Sequence, residues 1–332
     1  MRRKLLYFIG FAVLATAAYV ILRRGFDREI FLASLAQVRP AWLAASVGGV
    51  FLTYVMRAIR WQALLKPLKN IDLSPLISAT FLGFASIYAA GRAAEVVRPL
   101  WIARTRGVPV TGAFASIVIE RVFDALMILV LMAIGLAATD VPGDASGTVG
   151  LIQRAAWILL FVAVATILTL AMSHRNAARI KTWIPIRAVR DVFETFRTGS
   201  EGISSTIGVA RMIGYSGILW VAVALQFWFM LIGLGLDIPP LTACLILSVS
   251  ALGSLAQIPA LGGGFQVAFV FSTTTFAGVV DETAVAAALM AWLVTYIPTI
   301  AVGGIYMVWR GVSARDLMAD GEVSAYNERA GL

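Results

Sequence analysis

The chain has 332 residues, of which 60% are hydrophobic and only 14% charged, with a net charge of +9. Soluble domains run at roughly 45–50% apolar and about 25% charged, so this composition excludes an ordinary soluble globule. It points to an all-α fold, a polytopic integral membrane helical bundle of about 7–9 hydrophobic segments. The basic residues sit mostly between apolar spans, where the positive-inside rule puts them and where they can meet anionic headgroups. That placement argues against nucleic acid as a partner. One cysteine, Cys244, excludes an intrachain disulfide, and one histidine, His174, leaves no material for a metal cluster or a Ser–His–Asp triad. Neither metal nor cofactor is expected.

In chain order, uncharged windows cover residues 5–22, 40–56, 73–91, 125–139, 155–173, 212–236, 238–280 and 283–309. The first follows a basic start and resembles a signal peptide, yet its 18 uncharged residues exceed a usual h-region. It reads as an uncleaved first span. The long window 238–280 holds two apolar pieces, 241–258 and 265–280, separated by a break at Pro259 and Gly262, Gly263 and Gly264.

Arg2, Arg3 and Lys4 place the N-terminus in the cytoplasm of a bacterial-type inner (plasma) membrane. Span two then returns to a basic loop that takes in Arg57, Arg60, Lys66 and Lys69. If 73–91 crossed fully, every later basic loop would face outward, including 173–211 with its seven Lys and Arg. A segment 74–110 that dips in and leaves by the same side puts those loops, and the C-terminus, inside. Only 23–39, with four arginines and two acids, stays on the unexpected side. The predicted element is therefore a re-entrant hairpin, and backbone broken at membrane depth survives only against protein or a watery cavity. The pair 241–258 and 265–280 echoes this hairpin in the second half, a pattern that in transporters marks the binding site. The organisation expected is a membrane domain over 1–310, with a basic amphipathic loop at 173–211, and a polar cytoplasmic tail over 311–332.

Charge inside the apolar segments is confined to two motifs. "GRAAEVVRPLW" carries Arg92, Glu95 and Arg98 at spacings of three, along one side of a helix. "IVIERVFDALMILV" carries Glu120, Arg121 and Asp124 in a helix expected over 111–138, with Glu120 and Asp124 on one face. A lone charge at mid-membrane costs about 2.5–3.5 kcal/mol on insertion scales, so these six must be paired, shallow or lining water. Two readings follow. Three arginines against three acids can form a neutral structural knot, or one or more arginines face a cavity and hold an anionic group, for which the planar guanidinium fork suits phosphate. Gln257, Gly262, Gly263, Gly264 and Gln266 are candidate cavity-lining residues around the second break, with helix packing as the plain alternative.

These motifs, followed by Pro259, Gly262 and Gly263, resemble the lysylphosphatidylglycerol synthase transmembrane region, also called flippase-like. The resemblance covers most of residues 5–310 and implies lipid handling. Members of that family often carry a glutamate soon after the Gly-rich segment, where this chain has Gln266. Members that aminoacylate phosphatidylglycerol carry a soluble synthase domain after the membrane region, and that domain is not expected here. The function expected is translocation of an anionic or phosphate-bearing lipid, of polyprenyl-phosphate or glycan-linked type, with no enzymatic role. The alternative is a membrane-embedded enzyme, or a partner of an enzyme, of lipid-linked sugar synthesis. A purely structural subunit is the third reading.

Overall fold

The computed structural model describes residues 27–90, 92–139, 205–258 and 262–310, with isolated positions between 147 and 161. The first span, residues 173–204 of the expected loop with His174, and the tail 311–332 lie outside the described residues, while residues 206–211 of that loop belong to a helix. Helix α1 (Arg28–Ala36) begins on Asp27, whose carboxylate accepts from the backbone N–H groups of Glu29 and Ile30. Helix α2 (Pro40–Leu65) begins with proline at its first position, where no N–H is missed. Helix α3 (Leu73–Ala90) leads into a 3-10 turn, Arg92–Val96, and then α4 (Val97–Arg106). Helix α5 runs Val110–Ala138. Helix α6 (Thr206–Gly233) is capped by Ser205, whose hydroxyl accepts from Gly208 N–H. Then follow α7 (Pro240–Gly253), a 3-10 turn, a two-residue antiparallel ladder pairing Gln257 with Gly263, α8 (Gly264–Ala277) and α9 (Asp281–Arg310). The expected all-α bundle is the observed one, with that short ladder at its second break.

Length sorts the helices. At a rise of 1.5 Å per residue, α2, α5, α6 and α9 reach roughly 39–45 Å and exceed a bilayer core of about 30 Å. The 14 residues each of α7 and α8 give only about 21 Å, and the 10 of α4 about 15 Å. The short helices turn back instead of crossing. Ser74 and Ser78 of α3 face Thr105 and Arg106 of α4, while Gly83 lies on Arg98, so the pair is an antiparallel hairpin. Helices α7 and α8 form a second hairpin, with Gly253 against Gly264 at its tip. Both hairpins anticipated from the Pro/Gly and charge pattern are therefore present.

Helices α2 and α6 run antiparallel along each other: Gly49 meets Gln226, and Gly233 meets Leu43. Helix α9 lies along α3, and α5 lies along α7. One apolar core joins α2, α3 and α4, and a second joins α6, α7, α8 and α9. Helix α1 docks on the start of α9, where Ser34 and Thr283 hydroxyls bond at 2.9 Å. Nearby, Arg39 makes two hydrogen bonds to Asp237 at 2.9 and 3.1 Å, so one arginine of the anomalous segment 23–39 has an acidic partner. That hydrogen-bonded contact holds the Asp237 carboxyl below its ordinary range and raises the Arg39 guanidinium.

Candidate functional site

The site is built on α2. Arg57, Arg60 and Trp61 continue the face that buries Val50, Thr53 and Tyr54, so the helix runs on past Met56 instead of ending there. This corrects the placement of Arg57 and Arg60 in a loop: Arg60 is 1% exposed in the bundle interior. Across from it stand Glu120 and Asp124 of α5, at 1% and 5%. Arg60 Nη1 donates to Asp124 Oδ1 at 2.7 Å and to Ser216 Oγ of α6 at 3.0 Å, while its Nε lies 3.8 Å from Glu120 Oε1. Arg57 and Arg121 approach Asp124 Oδ2 at 3.6 and 3.3 Å. Trp220 of α6 donates its indole N–H to Asp124 Oδ1 at 3.0 Å.

Arg98, from the first turn of α4, forms a forked pair with Glu120, its Nη1 and Nη2 donating at 2.6 and 3.3 Å. Its guanidinium carbon lies 3.9 Å from the centre of the Trp61 ring, a desolvated cation–π contact. Trp61 in turn donates to Ser116 at 2.8 Å, which fixes the ring. Gly83 makes this approach feasible: a β-carbon there would lie 2.7 Å from Arg98 Cβ.

Charged groups held this deep are stable only when paired and hydrogen-bonded. The pairing here is incomplete, and on the acid side Asp124 Oδ2 is itself buried without a donor in hydrogen-bonding geometry. Arg57, Arg60, Arg98 and Arg121 face Glu120 and Asp124, with Glu95 beside them, so the described cluster carries one cation more than it has acids. The Nε–H groups of all four arginines are buried without a protein acceptor within hydrogen-bonding geometry. A small cleft, open to the outside on one side, is lined by Gly83, Phe84, Ile87, Glu95, Arg98, Ile117 and Arg121. Val96 and Val118, next along the chain to two lining residues, are exposed, so the cleft sits beside an apolar outer surface.

Of the residues singled out from sequence, Arg98, Glu120, Arg121 and Asp124 come together, and Glu95 lines the same cleft. Arg92 lies in the 3-10 turn, and its side chain is outside the described residues. At the second break, Gln257 and Gly262 belong to the short ladder, and Gly264 opens α8. Gln266 accepts from Gly263 N–H at 2.7 Å, closing the first turn of α8, and Gly263 adopts φ 97°. None of these lines the arginine cleft, whose walls come from α3, the 3-10 turn, α4 and α5. The residues that sequence reasoning missed are Arg57, Arg60, Trp61, Ser216 and Trp220. The available signal was the spacing of Arg57, Arg60, Trp61 and Leu64 along one helical face. Among the described residues no group of three His, Cys, Asp or Glu side chains gathers to hold a metal.

The family model described as the lysylphosphatidylglycerol synthase TM region matches residues 7–303. The chain belongs to this family. It is also similar to a protein named Glycosyltransferase AglD from Haloferax volcanii, 26% identical over 329 residues. That match covers 88% of this chain and 52% of the relative, so the chain spans about half the length of that protein. No solved structure matches. Membership makes this a multi-pass membrane protein of a lipid-related family, with the arginine cleft in the matched region.

Proposed function

We propose that the protein translocates an anionic, phosphate-bearing lipid or lipid-linked glycan, and that the cleft lined by Arg98 and Arg121 receives the headgroup. The observation that carries this reading is the donor surplus: four neighbouring arginines, each with a buried and unmatched Nε–H, two of which, Arg98 and Arg121, line a cleft. An anionic headgroup supplies the missing acceptors. Glu120 and Asp124 hold the arginines in register before it arrives, and Glu95 on the cleft wall repels a headgroup that seats too deeply. The chemistry is binding and positioning, with no bond made or broken.

The test is purified protein in vesicles containing labelled phosphatidylglycerol, with movement between leaflets followed by quenching from outside. Wild-type protein is expected to equilibrate the label. Arg98→Ala and the more exposed Arg121→Gln are each expected to slow it at least tenfold while the protein still elutes as a folded species. Normal movement in a folded Arg98→Ala protein would overturn the assignment of the site.

A second reading, participation in lipid-linked sugar synthesis, draws on the glycosyltransferase name of the archaeal relative. Sugar transfer to lipid by the purified chain, without lipid movement, would favour it.

A further inference from the structure

The two hairpins are parts of a larger correspondence. Each half of the described chain reads long helix, short helix, break, short helix, long helix: α2–α5 and α6–α9. Matching landmarks keep a near-constant separation. Pro40 and Thr206 lie 166 residues apart, Leu73 and Pro240 167, and Val110 and Asp281 171. Gly107 and Gly278 are also 171 apart, and both cap the second short helix in the left-handed conformation, at φ 61° and 63°.

Packing follows the same rule. Placed on α6 at the first separation, Val50, Tyr54, Trp61 and Leu64 fall on Ser216, Trp220, Phe227 and Met230, all of them buried. Helix α3 packs on α9 as α7 packs on α5, with the halves exchanged. Tyr54 bonds Thr299 of α9 at 3.0 Å, and its counterpart Trp220 bonds Asp124 of α5 at 3.0 Å. Because α2 and α6 are antiparallel, a pseudo-twofold axis passes between them near Tyr54 and Trp220. The halves are related by inversion of direction.

The charged cluster occurs in one half only. Trp61 corresponds to Phe227, Arg98 to Phe269, Ser116 to Ala287 and Glu120 to Ala291. The Arg98–Trp61 stack thus has an apolar image: Phe227 and Phe269 lie 6.0 Å apart, ring to ring, in a cluster with Ala287 and Ala291. Resting on the translocation reading above, we infer that the chain is an inverted duplication, and that α7, α8 and α9 form a second access route to the same central site from the opposite membrane face, closed in this structure by Phe227 and Phe269. The site can serve both routes because Asp124, bonded to Trp220, sits at the pseudo-axis. Ser250, the counterpart of the cleft residue Gly83, is buried with its hydroxyl unpartnered, a polar atom left along the closed route.

The experiment uses the full chain in vesicles, in a Cys244→Ala background, with single cysteines and membrane-impermeant thiol reagents. Asp72→Cys and Val110→Cys, at the base of the first hairpin, are expected to label from one face. Leu241→Cys and Val280→Cys, at the base of the second, are expected to label only from the other. Labelling of all four from one face overturns the inference. For the plug, Ala291→Cys is expected to be unreactive in otherwise wild-type protein and to react at least tenfold faster with Phe269→Ala, from the face that labels Leu241→Cys. Phe269→Leu serves if the alanine variant does not fold. No gain in reactivity with either, or a gain from the first hairpin's face, overturns the second route. Lipid movement by the wild-type protein is scored separately. Opposite-face labelling without any lipid movement defeats the translocation reading and the route's function, and leaves only the duplication standing.

Discussion

In the first half of the bundle, Arg98 lies over Trp61 and forks onto Glu120; at the matching places in the second half, Phe269 meets Phe227 and Ala291 shares their cluster. One scaffold is filled in two ways. Replacing a buried ion pair by apolar groups of matching shape is often neutral or stabilising, and the second half displays that replacement within the same molecule. The ionic filling is therefore not required to hold such a unit together. Its retention in one half of the described residues, with unmatched donors beside a cleft, supports the binding role proposed above.

The strongest way to break the comparison is to put the charge of one half into the other without its partners. Ala291→Glu places a carboxylate among Phe227 and Phe269 and is expected to cost several kcal/mol, on the order of 3–5, as for any broken buried pair. Loss of folded protein by fluorescence-detected chromatography checks it, and a fully stable variant would mean that the second core is wetter than its packing shows. Glu120→Ala, which strands Arg98 and Arg60, is expected to lose about 3–5 kcal/mol in the same assay.

The sharper test imports the apolar solution. Arg98→Phe combined with Glu120→Ala is expected to recover most of the stability lost by Glu120→Ala alone, to within about 1 kcal/mol of wild type, yet to abolish lipid movement. Recovery of both would reduce the cluster to a structural knot. A smaller effect is expected of Trp61→Phe, which weakens the cation–π contact and removes the bond to Ser116. A loss of about 1–2 kcal/mol in thermal unfolding is expected.

The smallest effect concerns the exposed link between Arg39 and Asp237, where α2 starts and α6 ends. Because the folded pair lowers the Asp237 carboxyl, its contribution is present above the unfolded aspartate range and is lost as pH falls through the lowered folded value. With both side chains substantially solvated, Asp237→Asn is expected to shift the thermal midpoint only slightly, and added salt to mask the difference.

Much of this was legible in the sequence. Leu73–Ala90 followed by Arg92, Glu95 and Arg98 could not be a simple crossing on loop charge, and it is a hairpin. Glu120, Arg121 and Asp124 had to find partners, and they did. What escaped was the contribution of α2 and α6 to the charged cluster. Arg57 and Arg60 were assigned to a loop because an uncharged window stops at the first cation, although a helix does not stop where its partner acids lie on another helix. Ser216 and Trp220 were invisible for a related reason: only the antiparallel packing of α6 on α2 brings them to Arg60 and Asp124. The duplication was hidden because its two copies keep burial pattern and length while exchanging arginine for phenylalanine and glutamate for alanine.

The exposed valines flanking the arginine cleft, Val96 and Val118, carry a consequence for which lipids such a site distinguishes. If the proposed headgroup seats in this cleft, its hydrocarbon chain stays outside, in surroundings as oily as those it came from, so the chain contributes almost nothing to affinity. Saturated or unsaturated, acyl or prenyl, long or short, tails are equivalent to this doorway. On that proposal selectivity lies in the head alone, in how much negative charge it offers Arg98 and Arg121 and how closely its shape follows the walls.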